Sequence, residues 1–574
     1  MFIRVKHNGA HQYLQLVSNE RIAGRVRQRV IGTLGRRDVL ENSATLSGLG
    51  ASLNKFLRRA VVLTEHRAGH AQVQATRRLG PGLVFGRLWE QLGLPAVLAE
   101  LLEERQFGFA VERAVFLTVL HRLLPPASGT SDRAAEKWKA DYVIPGVEGL
   151  ELQHLYRTMA WLGEPLPQAQ QAGATPFAPR CTKDLIEEAL FLRRQDLFTD
   201  LSLVFFDTTS IYFEGQGGET LGQYGHSKDH RPDLKQLVVG MVLSGDGRPV
   251  CCELWPGNTT DVKTLLPVVT RLRKRFGIRQ VCVVADRGMI SREVIAALEK
   301  KHPDLRYILG ARLRSDHEVR DTVLSWGGRY QEVRGPREHS KDPAPLKVKD
   351  VRFTGEDGRD RRYVVCHNPE QAEQDQADRE AIVAALEDHL RQGAKSLVGN
   401  RGFRKYLQTA GKGFAIDRQK VEQEARFDGK WVLRTNWLEG SAADVALRYK
   451  DLWMVEDMIR TTKSILQTRP IYHKCDETIR GHVFCSFLGL VLRKELQDRL
   501  ASKGWELEWA DVLQDLDRLQ ITTLQTGLTG RVMGGSQSEQ RGAVCELRSM
   551  PQGTAGKALA AAGVALGPTV RFLE

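Results

Sequence analysis

The chain has 574 residues, 42% of them hydrophobic and 27% charged, the balance of a soluble globular protein with room for roughly three or four domains. Its 83 Lys and Arg exceed its 70 Asp and Glu by 13, which favours a polyanionic partner, because cations that meet phosphates release counterions. Eight cysteines with no regular spacing and no Cys-x-x-Cys speak against a disulfide framework, and nothing at the N-terminus reads as a secretory leader. The longest strongly apolar run, Val483 to Leu492, is about half of what a membrane span needs, so a cytoplasmic protein with free thiols is expected.

The positive charge is concentrated at the start. Residues 1–80 hold 14 Lys and Arg against 4 Asp and Glu, much of it in Arg21, Arg25, Arg27, Arg29, Arg36 and Arg37. Phe2 to Val5 and Gln12 to Val17 read as short strands around a turn at His7-Asn8-Gly9. Residues 1–75 are therefore expected to form a basic DNA-binding unit, with Arg25, Arg27 and Arg29 as candidate contacts. Residues 76–200 read as a helical domain. Pro95 to Glu103, Ala110 to Leu124 and Leu185 to Arg194 carry apolar residues at three-to-four spacing, and Pro165 to Pro179 reads as a connector.

At residue 201 the pattern changes. Leu201 to Phe206 is an apolar strand that meets Asp207 and resumes at Ile211-Tyr212-Phe213. Gln236 to Leu243 and Pro249 to Trp255 are strands joined by the hairpin signal Gly245-Asp246-Gly247. Thr260 to Arg275 is amphipathic, with Val262, Leu265, Leu266, Val269 and Leu272 on one face. Asp261 there reads as the cap of that helix. Gln280 to Ala285 is a strand ending at Asp286, followed by a helix (Arg292 to Lys301) and a strand (Leu305 to Leu309). The fold class is α/β, a mixed sheet with helices on its faces, occupying residues 201–310. Residues 311–440 interrupt it with polar turns, a Glu- and Ala-rich helix near 370–391 and paired short strands near 413–435. One long helix is expected from Ala442 to about Gln467 and a more apolar one from Glu477 to about Leu496, within a segment 441–500 that completes the core. A C-terminal region, 501–574, follows.

Two strands carry lone acids, Val-Phe-Phe-Asp207-Thr-Thr and Val-Val-Ala-Asp286-Arg-Gly. A buried carboxylate needs a partner, a hydrogen bond or a metal. One such acid would suit a loop-bracing role, but two on neighbouring strands, near their carboxyl ends, point to a site. On the helix from 442, Tyr449, Leu452, Glu456, Ile459 and Lys463 fall on one face. Arg460 leans to the same side, whereas Asp457 is rotated by about 100°. Glu456 is thus the third candidate acid, although such a face also suits a plain solvated edge. Three carboxylates fit phosphodiester chemistry, in which two Mg²⁺ ions about 4 Å apart activate the nucleophile and relieve charge on the leaving oxygen. Lys463 and Arg460 would hold substrate phosphates. No Gly-x-x-x-x-Gly-Lys-Ser/Thr is present, which excludes a P-loop. His473, Cys475, His482 and Cys485 lack the spacing of a zinc finger.

Five blocks together resemble the DDE transposases of bacterial insertion sequences, and within them the large superfamily numbered four. They are Phe-Phe-Asp207-Thr-Thr-Ser-Ile-Tyr-Phe-Glu; Gly225-His-Ser-Lys-Asp-His-Arg-Pro-Asp-Leu-Lys-Gln; Gly257-Asn-Thr-Thr-Asp261-Val-Lys-Thr; Ala285-Asp286-Arg-Gly-Met-Ile; and Tyr449-Lys-Asp-Leu-Trp-Met-Val-Glu456-Asp-Met-Ile-Arg-Thr-Thr-Lys463. The resemblance implies an RNase H-like core with a mostly β insertion, an acidic triad at Asp207, Asp286 and Glu456, and two bound Mg²⁺ (or Mn²⁺) ions. It implies cleavage of double-stranded DNA at terminal inverted repeats, strand transfer into target DNA, and a homodimer on DNA at the nucleoid. Its helix signature maps onto Tyr449, Glu456 and Lys463. The family's Arg three residues after the Tyr is Leu452 here, which leaves Arg460 as the candidate replacement. Trp431, in the insertion, is the candidate to stack on a displaced base, with a core role as the alternative. Two other readings remain open from sequence: a DNA-binding protein with an inactive core, and an RNase H-like nuclease unconnected with transposition.

Overall fold

The computed structural model describes residues 2–22, 25–41, 71–124, 131–172, 174, 178–194, 203–277, 282–333, 346–355, 357–392, 405–410, 413–464, 466–526 and 544–573. The chain divides into two compact units. One comprises Met1–Arg77, Leu519–Met550 and Leu566–Glu574, and the other Arg78–Arg518 with Pro551–Ala565.

In the first unit, β1 (Phe2–Asn8), β2 (His11–Ile22) and β3 (Arg25–Arg36) form an antiparallel three-stranded sheet. Gly9 makes the tight turn between β1 and β2 at φ +58°, where glycine lacks the Cβ clash of other residues. The sequence reading found β1 and β2 but not β3. In β3 arginines alternate with valine and glutamine, which places the arginines on one face; Val26 and Val30 are exposed. A second sheet pairs β4 (Ala71–Arg78) with the C-terminal strands Gln520–Thr526, Val544–Arg548 and Val570–Leu573. The two ends of the chain thus build one unit.

The second unit opens with helices α1 (Gly80–Gln91), α2 (Leu94–Leu102), α3 (Val111–Leu123), α4 (Asp132–Trp138), α5 (Leu152–Leu162) and α6 (Thr182–Arg194). Next come β5 (Leu203–Tyr212), β6 (Gln236–Ser244), β7 (Pro249–Pro256), α7 (Leu265–Phe276), β8 (Cys282–Ala285), α8 (Arg292–Lys301) and β9 (Arg306–Gly310). Then follow β10 (Gln331–Val333), β11 (Leu346–Thr354), β12 (Asp360–His367), α9 (Pro369–Gln392), β13 (Leu407–Ala410), β14 (Gly413–Ile416), α10 (Arg418–Ala425) and β15 (Lys430–Thr435). The unit closes with α11 (Ala442–Lys450), α12 (Trp453–Ser464), α13 (Asp476–Ala501), α14 (Trp509–Arg518) and α15 (Ala555–Ala562).

The sheet has nine strands in the order β10-β11-β12-β15-β9-β8-β5-β6-β7. β5, β6 and β7 form an antiparallel meander, and β5, β8 and β9 run parallel. This is the arrangement of an RNase H-like core. α7 and α8 cover one face through Leu265, Val269, Leu272, Val294, Ile295 and Leu298. The 311–440 segment adds strands to the core sheet and also carries the small β13–β14 hairpin sheet. Its strand β15 pairs antiparallel with β9, Arg434 opposite Leu309, and β12, β11 and β10 continue outward, so the insertion widens the core sheet.

α13 is buried on every side from Ile479 to Arg493, the stretch that carries most of its apolar residues. α3 and α5 pack against it. A methyl group on Gly481 would collide with the backbone carbonyl of Met159, so glycine permits this close approach. Among the described residues no helix is long and apolar enough to cross a membrane.

The structure corrects two elements. The helix expected over 442–467 is two helices, α11 and α12, with a turn at 451–452. There the amides of Leu452, Met454 and Val455 bond three residues back, to Tyr449, Asp451 and Leu452, which tightens the chain locally. The helix expected from Thr260 begins as a 3-10 turn, Asp261–Lys263, before α7.

Candidate active site

Asp207 lies within β5, and Asp286 follows β8 directly. The two strands are parallel neighbours and Phe206 is the register partner of Ala285. The two aspartates therefore occupy the next position on adjacent strands, which lie about 4.8 Å apart in a sheet. Both are half-buried. Burial pushes the Asp207 carboxyl up to about 6, against the pull of Lys228 and of the Thr208 amide, which donates to Oδ1 at 2.6 Å; the charges of Asp286 and Asp261 push it further up.

Tyr449, at the end of α11, donates its hydroxyl to Asp286 Oδ1 at 3.1 Å. Burial, then Asp286, raise the Tyr449 phenol well above its ordinary range, and Glu456 adds to the same shift. Tyr449 thus stands within electrostatic reach of two of the three acids. Glu456 is exposed on α12. Gly310, at the end of β9, makes room for this contact, because a Cβ there would meet the Tyr449 hydroxyl.

Sequence reading treated Asp261 as a helix cap, and the structure reassigns it. It makes no side-chain cap on the helix that follows. Its Oδ1 accepts the Thr208 hydroxyl at 2.7 Å, and its Oδ2 pairs with Lys228 Nζ at 3.1 Å. Lys228 Nζ also donates to the Thr208 carbonyl at 2.7 Å. Asp261 and Lys228 therefore flank Asp207 together with Asp286. The block beginning at Gly225 supplies that lysine and was left without a role by the sequence, because a loop's contacts have no periodicity to read.

A model of the transposase DDE domain matches residues 199–492, more than half of the chain. The chain belongs to the DDE transposase family. A model of the N-terminal domain of IS1634 family transposases matches residues 3–66. No curated protein matches the chain. Among solved structures, a piggyBac transposase synaptic complex with hairpin DNA aligns over 76% of this chain and 79% of that one, at 10% identity and a TM-score of 0.36.

The transposase places the other candidate residues unequally. Lys463 Nζ pairs with Asp229 Oδ1 at 2.7 Å, and its side chain is largely covered. Arg460 projects into solvent with 72% of its side chain exposed, 3.9 Å from Asp457. Leu452 is buried in the turn between α11 and α12, so this position faces inward. Trp431 packs against the hydrophobic cluster of the insertion. It lies in β15 opposite Cys366, against a cluster that includes Val351, Tyr363 and Val432, and among the described residues its buried Nε1 has no partner. The core reading of Trp431 fits this setting. Trp453, one turn before Glu456, lies outside the residues expected from sequence and is 59% exposed. An exposed tryptophan on an otherwise amphipathic helix was the available signal.

Arg25, Arg27 and Arg29 lie on β3 in the other unit, at alternate positions that share a strand face. Arg27 is exposed, Arg29 meets Glu20 at 3.2 Å, and the side chain of Arg25 lies outside the described residues. His473 and His482 do come together, with Nε2 to Nδ1 at 3.0 Å, but with Asp132 as the third group rather than the cysteines. The Arg122 guanidinium lies 3.1 Å from the same His482 Nδ1, so the cluster reads as a buried hydrogen-bonded tie between α3, α4 and α13.

Proposed function

We propose that this transposase cuts double-stranded DNA at the terminal inverted repeats of its own element and joins the freed ends to target DNA, using Asp207, Asp286 and Glu456. The observation that carries this reading is the placement of Asp207 and Asp286 at matching positions on neighbouring parallel strands, with Tyr449 reaching from the Glu456 segment to Asp286.

The donor set consists of carboxylate oxygens alone, which suits Mg²⁺ or Mn²⁺ and not a thiolate- or imidazole-seeking metal. Two such ions, when bound, would lower the pKa of a bound water and offset charge on the leaving oxygen. The protein's residues divide the remaining work. Tyr449 fixes the rotamer of Asp286. Asp207 must be ionised to act as a ligand, and its raised pKa makes this site fill better as pH rises through about 6. Arg460, one turn after Glu456, presents an exposed guanidinium for a strand phosphate, and Trp453 offers a flat apolar face for an unstacked base. Arg27 and Arg29 on β3 would add sequence-independent contacts to the element end. A homodimer that pairs two ends, working in the cytoplasm at the nucleoid, completes the reading.

The test uses the full chain with Mg²⁺ on duplex DNA that carries the inverted repeat flanking the reading frame, beside an RNA–DNA hybrid of the same sequence. Nicking of the duplex at the repeat boundary, with the hybrid left whole, is expected. Cutting of the hybrid alone would replace transposition by an RNase H-like activity. Binding without any cutting would make the protein an inactive DNA-binding relative.

A further inference from the structure

The segment 225–235 crosses β5 and is fastened to it: the Lys228 amide donates to Ser210 Oγ at 2.8 Å, and Lys228 Nζ reaches the Thr208 carbonyl. His230 sits at φ +57°, a left-handed conformation that turns the chain sharply. Only 5% of the side chain of the neighbouring Asp229 is exposed.

Two cations meet on one oxygen of that carboxylate. Lys463 Nζ lies 2.7 Å from Asp229 Oδ1, and Arg469 Nη1 contacts the same atom. Asp229 Oδ2 is buried, and among the described residues it has no hydrogen-bond partner. A carboxylate held by two cations through one oxygen, with the other bare, is an incompletely satisfied buried acceptor. Lys228 is close enough for its charge, with that of Arg469, to lower the basicity of Lys463 further after burial has done so. Two cations, Lys463 and Arg469, thus hold Asp229, with Lys228 near enough to act on Lys463 and with Lys463 two turns from Glu456. A phosphodiester, with one charge and two non-bridging oxygens, could engage both Lys463 and Arg469 where the carboxylate engages them through one oxygen.

We propose that Asp229 fills, in the free protein, the phosphate site expected at Lys463, acting as an internal competitor, and that Arg469 completes that site for the bound DNA strand. This inference rests on DNA being the substrate. Asp229 acts here as a positioning residue that raises the threshold for binding. DNA lacking enough other contacts fails to displace it, so Asp229 suppresses occupancy by arbitrary sequence. A tether with no such role would hold the same pair together but would leave DNA binding unaffected or weaker when removed.

The experiment is equilibrium binding of the full chain to a short duplex of random sequence over a series of salt concentrations, without divalent metal. Phosphate contacts are sequence-independent, so the element's ends are not required. Asp229→Asn is expected to bind several-fold more tightly than wild type, with a salt slope steeper by about 0.9 for each freed phosphate contact. The gain is expected to vanish when Lys463→Gln is added to Asp229→Asn. Affinity and slope unchanged or reduced in a folded Asp229→Asn protein would overturn the proposal. Should that variant not fold, Lys463→Gln alone decides. A masked lysine predicts affinity within about twofold of wild type, and a slope shallower by about 0.9 would overturn it. Failure of wild type to bind any duplex would overturn both this inference and the DNA reading, whereas an indifferent Asp229→Asn beside a binding wild type overturns this inference alone.

Discussion

The Tyr449 hydroxyl donates to Asp286 Oδ1 at 3.1 Å, and it does so through space left by a glycine, Gly310. The contact joins the end of α11 to the end of β8, so it ties the second acid to the segment that carries the third. Tyr449→Phe keeps the ring and removes only the donor. Loss of such a supporting hydrogen bond lowers metal affinity or activity by about 10- to 100-fold. The expected outcome is a rise in the Mg²⁺ concentration needed for half-maximal cutting, with melting temperature little changed. Gly310→Ala should act in the same direction by pushing the hydroxyl away. An unaltered Mg²⁺ requirement in both variants would remove Tyr449 from the site.

Asp207 makes a prediction about stability. Its folded pKa, about 6, lies above the unfolded value of about 3.9, so between these values the native state binds more protons than the unfolded state. Its contribution to stability is therefore greatest below about pH 4, falls as pH rises, and is fully lost above about pH 6. Asp207→Asn removes that penalty. The metal-free variant should be more stable than wild type at neutral pH by about 2 to 3 kcal/mol, and the difference should shrink toward pH 4. Urea titrations of both proteins at several pH values measure it. A variant less stable than wild type at neutral pH would contradict the burial of charge at Asp207.

Leu452 and Arg460 test how this chain departs from the family signature. Leu452 is buried, so Leu452→Arg would place an unpaired cation inside the turn between α11 and α12. A loss of several kcal/mol in stability is expected, not a gain of activity. Arg460→Ala should leave stability within about 0.5 kcal/mol and reduce strand transfer more than Mg²⁺ binding. Full strand transfer by Arg460→Ala would leave the missing phosphate grip without a replacement at this position.

A buried ionic cluster holds the helical region on the catalytic sheet. Arg275 of α7, 1% exposed, meets Asp184, Glu187 and Glu188 of α6 and Glu253 of β7. Arg275→Ala would strand several acids in the interior and should cost about 3 to 5 kcal/mol, read from urea unfolding. A change below about 1 kcal/mol would mean that water enters the cluster and screens it.

The sequence was informative where a local rule forces a local structure. The apolar strands before Asp207 and Asp286, the Gly245-Asp246-Gly247 turn and the periodic helices all appear close to their expected places, because burial on one or two faces imposes a period. The break between α11 and α12 was invisible, since Leu452 keeps the helical phase while its backbone tightens. The joining of β15 to β9 was equally hidden, because pairing across more than a hundred residues leaves no local mark. The same limit applies to the site. The strand acids could be singled out from their surroundings, but Asp261 and Asp229 act through partners on other elements, Lys228 and Lys463 among them, that only the fold brings near.

Asp207, Asp286 and Glu456 are proposed to act as one catalytic set, with the neighbouring Asp457 outside it. The most direct measurement is single-turnover cutting of a prebound end-containing duplex by Asp207→Asn, Asp286→Asn, Glu456→Gln and Asp457→Asn at saturating Mg²⁺. The account predicts that the first three bind the duplex as wild type does yet lose cutting by a factor on the order of 10³ or more, while Asp457→Asn cuts within a few-fold of wild type. Wild-type cutting by any of the first three, or loss of cutting only in Asp457→Asn, would contradict it.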